Sequence, residues 1–174
     1  MGGILPSGTS LPDAKMIWWR ILVNLYRKIY GKLYMIERNT TTHCVVHCAD
    51  TPAEMDIGAA EIHKWHTDPP RNWDAIGYHY VVRRNGILEN GRDTKMQGAH
   101  CAALGMNGKS LGICLVGRGN NITGDQYVTL HSLIQTIKTM YPDIEVIGHS
   151  DAEPKKPNCP GFNVKQWIKD EFYG

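Results

Sequence analysis

Two short apolar runs constrain the fold more than any other feature of the chain: His43-Cys44-Val45-Val46-His47-Cys48, and Leu111 to Val116. Each has the length of a strand, and the first is closed by Asp50-Thr51-Pro52, so both read as strands buried within a sheet. Around them the apolar period becomes helical. Asp56 can cap a helix from Ile57 to about Thr67, with Ile62, Trp65 and His66 at helical spacing and Pro69-Pro70 ending it. Thr123-Gly124-Asp125-Gln126 has the form of a capping box and opens a helix to Met140, whose Tyr127, Leu130, Leu133, Ile134 and Ile137 face a core. Ile76 to Arg83 and Ile87 to Glu89 read as a hairpin around Asn85-Gly86. Thr94 to Ser110 is irregular, Ile144 to Ile147 is a short strand, and Asn163 caps a last helix to about Phe172. Strands alternating with helices, plus one hairpin, predict an α/β fold: a single domain with a mixed central β-sheet flanked by α-helices.

The chain has 174 residues, which suits one such domain, and its hydrophobic and charged fractions, 42% and 21%, are those of an ordinary globular protein. The formal net charge of +2 hides an asymmetry. Residues 1–40 carry six Lys/Arg against Asp13 and Glu37, so the remaining 134 residues are slightly acidic and require no polyanionic partner; nucleic acid is not expected. The expected division is therefore an N-terminal leader and basic amphipathic helical arm, 1–40, and a folded domain, 41–174. In the arm, Asp13 can cap a helix to Lys28 or beyond, with Trp18, Ile21, Leu22, Leu25 and Ile29 on one face. The uninterrupted apolar part, Met16 to Trp19, is too short to span a bilayer, and no small-residue cleavage site follows it, so neither a transmembrane helix nor a signal peptide is expected. Three readings of the arm stay open: a helix docked on the body, an arm that lies on an anionic membrane surface or a partner, or a segment foreign to the domain.

Five cysteines at 44, 48, 101, 114 and 159, with no CxxC pair, argue against a disulfide framework and a four-cysteine zinc ribbon. The chemistry concentrates instead near the end. Gly148-His149-Ser150-Asp151 follows a strand, and Lys155-Lys156-Pro157-Asn158-Cys159-Pro160-Gly161-Phe162 brings a cysteine ten positions later. One His and one Cys make half of a metal site, because protein-bound zinc takes at least three N, S or O ligands. His47, at the C-terminal end of the first strand, is the candidate third ligand. Two strand ends and a loop can converge, but spacing alone leaves the convergence open. Among the other histidines, His43 shares a strand side with His47, and His63 and His66 either share a metal or cover a helix face. His131 reads as surface. His79 and His100 either line a cleft or satisfy buried hydrogen bonds. Cys44, Cys48 and Cys114 read as core.

Eight segments occur in one order: Val46-His47-Cys48-Ala49, Glu61-Ile62-His63-Lys64-Trp65-His66, Ile76-Gly77-Tyr78-His79-Tyr80-Val81-Val82, Asn85-Gly86, Glu89-Asn90-Gly91-Arg92, Gly98-Ala99-His100, Ser110 through Gly117, and Lys156 through Phe162. This order resembles the zinc-dependent N-acetylmuramoyl-L-alanine amidases of the phage-lysozyme and peptidoglycan-recognition-protein family, most of all the small lysozymes of T-seven-type bacteriophages. The likeness spans about residues 41–172.

The resemblance implies a zinc ion held by His47, His149 and Cys159, with a fourth position left for water. It implies hydrolysis of the amide between the lactyl group of N-acetylmuramic acid and L-alanine in peptidoglycan, with Tyr78 orienting the water or donating to the developing oxyanion. The family lysine stands two residues before the cysteine, where this chain has Pro157. The loop from His149 is two residues longer, so the role falls to Lys156, with Lys155 the alternative. A phage endolysin of this kind accumulates in the host cytoplasm and acts on peptidoglycan after release. Two further readings accompany the family: a non-catalytic peptidoglycan-binding module, disfavoured by the presence of all three ligands, and a regulator that binds the phage RNA polymerase. A zinc nucleobase deaminase fits poorly, since its PCxxC pair is absent.

Overall fold

A computed structural model describes residues 35–174, together with Trp18 and Leu22. The expected helix beginning at Asp13 otherwise lies outside the described residues. Residues 36–174 form one compact unit. Its elements are β1 (His43–Cys48), α1 (Ala59–Thr67), β2 (Tyr80–Val82), β3 (Leu88–Asn90), a 3₁₀ segment (Ala103–Gly108), β4 (Ser110–Leu115), α2 (Gly124–Met140), β5 (Glu145–Gly148), α3 (His149–Ala152) and α4 (Val164–Tyr173). None of the described helices is long and apolar enough to cross a membrane.

The five strands form one mixed sheet in the order β3-β2-β4-β1-β5. The pairs β1/β4, β1/β5 and β2/β4 are parallel, and only the β2/β3 hairpin is antiparallel. The two apolar runs are β1 and β4, side by side in the middle of the sheet. Strands covered on both faces lose the alternation of apolar and polar residues, which is why these two read as unbroken hydrophobic runs.

Side chains alternate across β1, and the alternation separates structure from site. Cys44 and Val46 face a large core with Leu111, Ile113, Leu115, Val82 and Val146, closed by Leu130, Leu133, Ile134 and Ile137 of α2 and by Val164 and Ile168 of α4. Each such side chain removed from water contributes about 1.5–3 kcal/mol, so this face carries most of the hydrophobic stabilisation. The opposite face holds two smaller clusters. One gathers Ile57, Ile62, Ile76, Val81, Cys114 and Val116; the other gathers Val45, Cys101, Met106, Ile147 and Ala152. His47 lies on this second face, beside Cys114 in the β1/β4 register.

Helix ends follow local chemistry with one exception. Thr123 Oγ1 accepts from Gln126 N–H and the Gln126 side chain reaches back to Thr123 N–H, the expected reciprocal cap. Asn163 caps α4 from one side only, its Oδ1 accepting from Gln166 N–H at 2.9 Å. At α1 the expected cap Asp56 is engaged elsewhere, accepting from Arg83 Nη2 at 2.9 Å and from Arg84 N–H at 3.2 Å. The helix therefore begins after Gly58, with its orphan N–H groups satisfied by Glu61 on Gly58 and by Glu89 of β3 on Ala59. Within α1, Ile62 and His66 are buried, whereas Trp65 is turned to solvent.

Candidate metal centre

Three elements deliver the three expected ligands. His47 is the penultimate residue of the central strand β1. His149 is the first residue after β5, whose Gly148 pairs with Val46, so the parallel register brings His149 alongside His47. Cys159 returns on a loop closed by successive turns: Lys156 N–H donates to Glu153 O at 2.8 Å, Cys159 N–H to Lys156 O at 3.1 Å, and Ser150 N–H to Cys159 O at 2.9 Å. The His47 and His149 rings stand 4.4 Å apart between centroids, and Cys159 Sγ lies 4.0 Å from His47 Nδ1. One donor atom from each residue falls within 4.8 Å of the other two. The separation of His43 from this centre is equally clear, since it contacts Thr42 and Glu145 at the start of β1.

The chemistry of the donors suits a divalent soft-to-borderline cation. Burial, then the neighbouring His100 and His149, lowers the pKa of His47 well below that of a free imidazole. Burial likewise lowers His149, against the pull of Glu153, with Lys156 adding to the depression. Both rings are therefore neutral at pH 7 and offer a lone pair. Cys159 shares a hydrogen bond with Cys48, and that bond and burial push its thiol up, while the same bond brings Cys48 down to about 6. A bound cation reverses this preference, because a coordinating thiol is deprotonated outright; the Cys48 N–H, 3.4 Å from Cys159 Sγ, is placed to stabilise the resulting thiolate. Two imidazoles and one thiolate with donor atoms within 4.8 Å of one another make a donor set that fits a zinc ion. Cys48, expected simply as core, thus lies buried but against the site.

Tyr78 lies two residues before β2, with its ring 5.2 Å from that of His47. Burial, then the thiols of Cys114, Cys159 and Cys48, raises its pKa well above the ordinary phenol value, so the hydroxyl is a proton donor. Lys155 and Lys156 are both exposed. The remaining histidines divide between two roles. His79 is fully buried and satisfied, accepting from Gly112 N–H at 2.8 Å through Nδ1 and donating to Met96 O at 3.0 Å through Nε2. His66 accepts from Gly77 N–H at 2.9 Å and packs against Trp73 and Tyr78, and His63 faces solvent, so the pair does not form a second metal site. His131 stacks on Phe172.

Two residues without an assigned role touch the ligands: His100 at His47 and Glu153 at His149. The first, in the Gly98-Ala99-His100 segment, carried two open readings, lining a cleft or satisfying a buried hydrogen bond, and its bond to His47 is of the latter kind. The second carries a legible signal, four residues after His149 on what proves to be a helical turn.

Comparison with known proteins accords with this geometry. The sequence model of the N-acetylmuramoyl-L-alanine amidase family matches residues 37–162. The endolysin of Enterobacteria phage K11 is 37% identical over 146 residues, covering 80% of this chain and 93% of that protein. The endolysin of Escherichia phage T7 is 36% identical over 138 residues, covering 75% and 87% respectively. Among solved structures, the endolysin amidase LysCS of Clostridium intestinale superposes with a TM-score of 0.68 at 25% identity, covering 79% of this chain and 86% of the other. With its mixed sheet, its cluster of two histidines and a cysteine, and these relatives along nearly the whole domain, the chain belongs to the N-acetylmuramoyl-L-alanine amidase family.

Proposed function

We propose that this chain is a phage endolysin that hydrolyses the amide between the lactyl group of N-acetylmuramic acid and L-alanine of the stem peptide, using zinc held by His47, His149 and Cys159. The observation that carries the metal assignment is the convergence of one donor atom from each of these residues within 4.8 Å, from three separate elements. When bound, zinc polarises the scissile carbonyl and lowers the pKa of a water from 15.7 to about 7.

The chain's own residues supply the rest. His47 and His149 are buried, and Cys159 is half-buried on its loop. Tyr78, kept protonated by burial and by the neighbouring thiols, donates its phenolic hydrogen to the oxygen that becomes negative as water adds to the carbonyl. Lys156, whose charge reaches His149, adds a cationic donor from the loop. Donors fixed in a partly desolvated site stabilise developing charge more than they would in bulk water, and no reorganisation is needed at the moment of reaction.

The test pairs metal content with product. The wild type is expected to hold one zinc and to release new L-alanine amino termini from isolated sacculi, and Cys159→Ser to lose both. Zinc-loaded wild-type protein that bound sacculi without releasing amino termini would sink the hydrolase assignment and leave a binding module. Within the same reading, the enzyme is made in the host cytoplasm and meets its substrate beyond the inner membrane, with the basic segment 1–34 assisting at the anionic envelope. Deleting residues 1–34 is expected to reduce lysis of intact cells and spare hydrolysis of sacculi. Equal losses in both assays would make the segment part of the fold.

A further inference from the structure

Each of the two candidate ligand histidines has its Nε2 engaged, by different chemistry. His149 Nε2 lies 3.2 Å from Glu153 Oε2. A carboxylate only accepts, so His149 carries its proton on Nε2, and Nδ1 keeps the lone pair. His47 Nε2 lies 2.9 Å from His100 Nδ1, and here either nitrogen can be the donor. The direction is decided further out. Ser110 Oγ donates to Met106 O at 2.6 Å, so toward His100 Nε2, 3.4 Å away, it can only accept. His100 is therefore protonated on Nε2 and accepts through Nδ1. His47 donates to it from Nε2, and its free lone pair sits on Nδ1, the nitrogen that faces Cys159.

Both outer partners are held firmly. The His100 ring lies between Gly98 and Gly112, where a Cβ on either would collide with it, and its backbone N–H donates to Asn107 Oδ1 at 2.8 Å. Glu153 follows His149 by one helical turn, with its N–H on His149 O at 2.8 Å.

We propose that His100 and Glu153 are the positioning residues of the metal centre, fixing both ligand histidines as Nε2–H tautomers and so leaving Nδ1 as the nitrogen that would hold the metal. This rests on reading His47, His149 and Cys159 as zinc ligands. The two supports differ in kind: a neutral relay through Ser110 to the Met106 carbonyl holds His47, and a negative charge holds His149 and makes it the more basic of the two ligands.

The experiment compares the wild-type holoenzyme with His100→Leu, His100→Asn, Glu153→Leu and Glu153→Gln. Zinc affinity is read by competition with a chromophoric chelator, ligand geometry by the visible spectrum of the cobalt-substituted proteins, and fold by urea unfolding of the metal-free forms. Asparagine and glutamine keep an acceptor where the native side chains have one; leucine does not. The leucine variants are expected to bind zinc about 10- to 100-fold more weakly and to alter the cobalt bands, with most of the affinity restored in the asparagine and glutamine variants. Wild-type affinity in the leucine variants would overturn the proposal, as would an equal loss in leucine and conservative variants that merely follows the stability of the metal-free protein. So would two zinc ions in the wild type and one in Glu153→Leu, since Cys101, His149 and Glu153 also bring donor atoms within 4.8 Å of one another and Glu153 would then be a ligand. A wild type that binds no zinc, or a Cys159→Ser variant that binds it unchanged, would instead remove the metal-centre reading on which the proposal stands.

Discussion

Of the two groups proposed to act beside the three candidate ligands, the Tyr78 phenol is buried and the Lys156 ammonium is exposed. Tyr78 is packed against His47 with its hydroxyl among thiols, so its contribution is a preformed donor. Tyr78→Phe is expected to lower kcat on sacculi about 100- to 1000-fold with KM and zinc content nearly unchanged. A large change in KM alone would assign the hydroxyl to substrate binding. Lys155 and Lys156 are adjacent and exposed, but only Lys156 is felt at His149. Lys156→Ala should therefore lose more activity than Lys155→Ala in the same assay, and the reverse order would move the role to Lys155. The candidate ligands and Tyr78 stand in a recognisable motif order. The lysine does not, because two extra residues in its loop break the spacing on which the motif depends.

At the scale of elements, α2 does more than cover a core. Gln126 is fully buried, and its amide donates to Val82 O at 3.0 Å and Val116 O at 2.8 Å, joining the ends of β2 and β4 to the first turn of the helix. Gln126→Leu removes one of two donors from each carbonyl, since Val116 N–H still reaches Val82 O at 3.0 Å and Arg84 Nη1 reaches Val116 O at 3.5 Å; the expected cost is about 1–2 kcal/mol, read as a lower urea midpoint with an unchanged slope. A shift under ~0.5 kcal/mol would mean that the remaining donors satisfy those carbonyls by themselves. The capping box at Thr123 was visible as sequence, whereas the second use of Gln126 was not. A cap depends on residues three apart; the carbonyls it also serves come from strands 10 and 44 residues away. Asp56 makes the same point in reverse, since its local promise as a cap yields to arginines brought back by the hairpin.

For the whole molecule, the buried histidines set an acid limit. Burial holds His66 and His79 at about 4, against about 6.5 in an unfolded chain. Between those values the unfolded chain binds more protons than the folded one, so their contribution to stability is complete above about pH 6.5 and is lost as pH falls toward 4. Each adds a slope of up to about 1.4 kcal/mol per pH unit in that window. Urea midpoints of the metal-free protein should fall from pH 7 to pH 4.5, and His79→Asn should flatten the decline. An unchanged decline in that variant would show that the proton uptake occurs elsewhere.

The sequence by itself determined most of the elements and the inventory of candidate ligands. Buried strands, capping boxes and the Asn85-Gly86 hairpin are written in residues close together along the chain, and His47, Tyr78, His149 and Cys159 stood in recognisable order. Only the tertiary structure decided how those side chains are held. The parallel register of β1 with β4 and β5 places His47 beside Cys114 and His149, and the loop then lays Cys159 against Cys48. It also gives each ligand histidine its outer partner, His100 from 53 residues away and Glu153 from the next helical turn. The identity of a donor is local, but the direction in which an imidazole turns depends on what meets its other nitrogen; for His149 that neighbour is one helical turn away, whereas for His47 it comes from distant sequence.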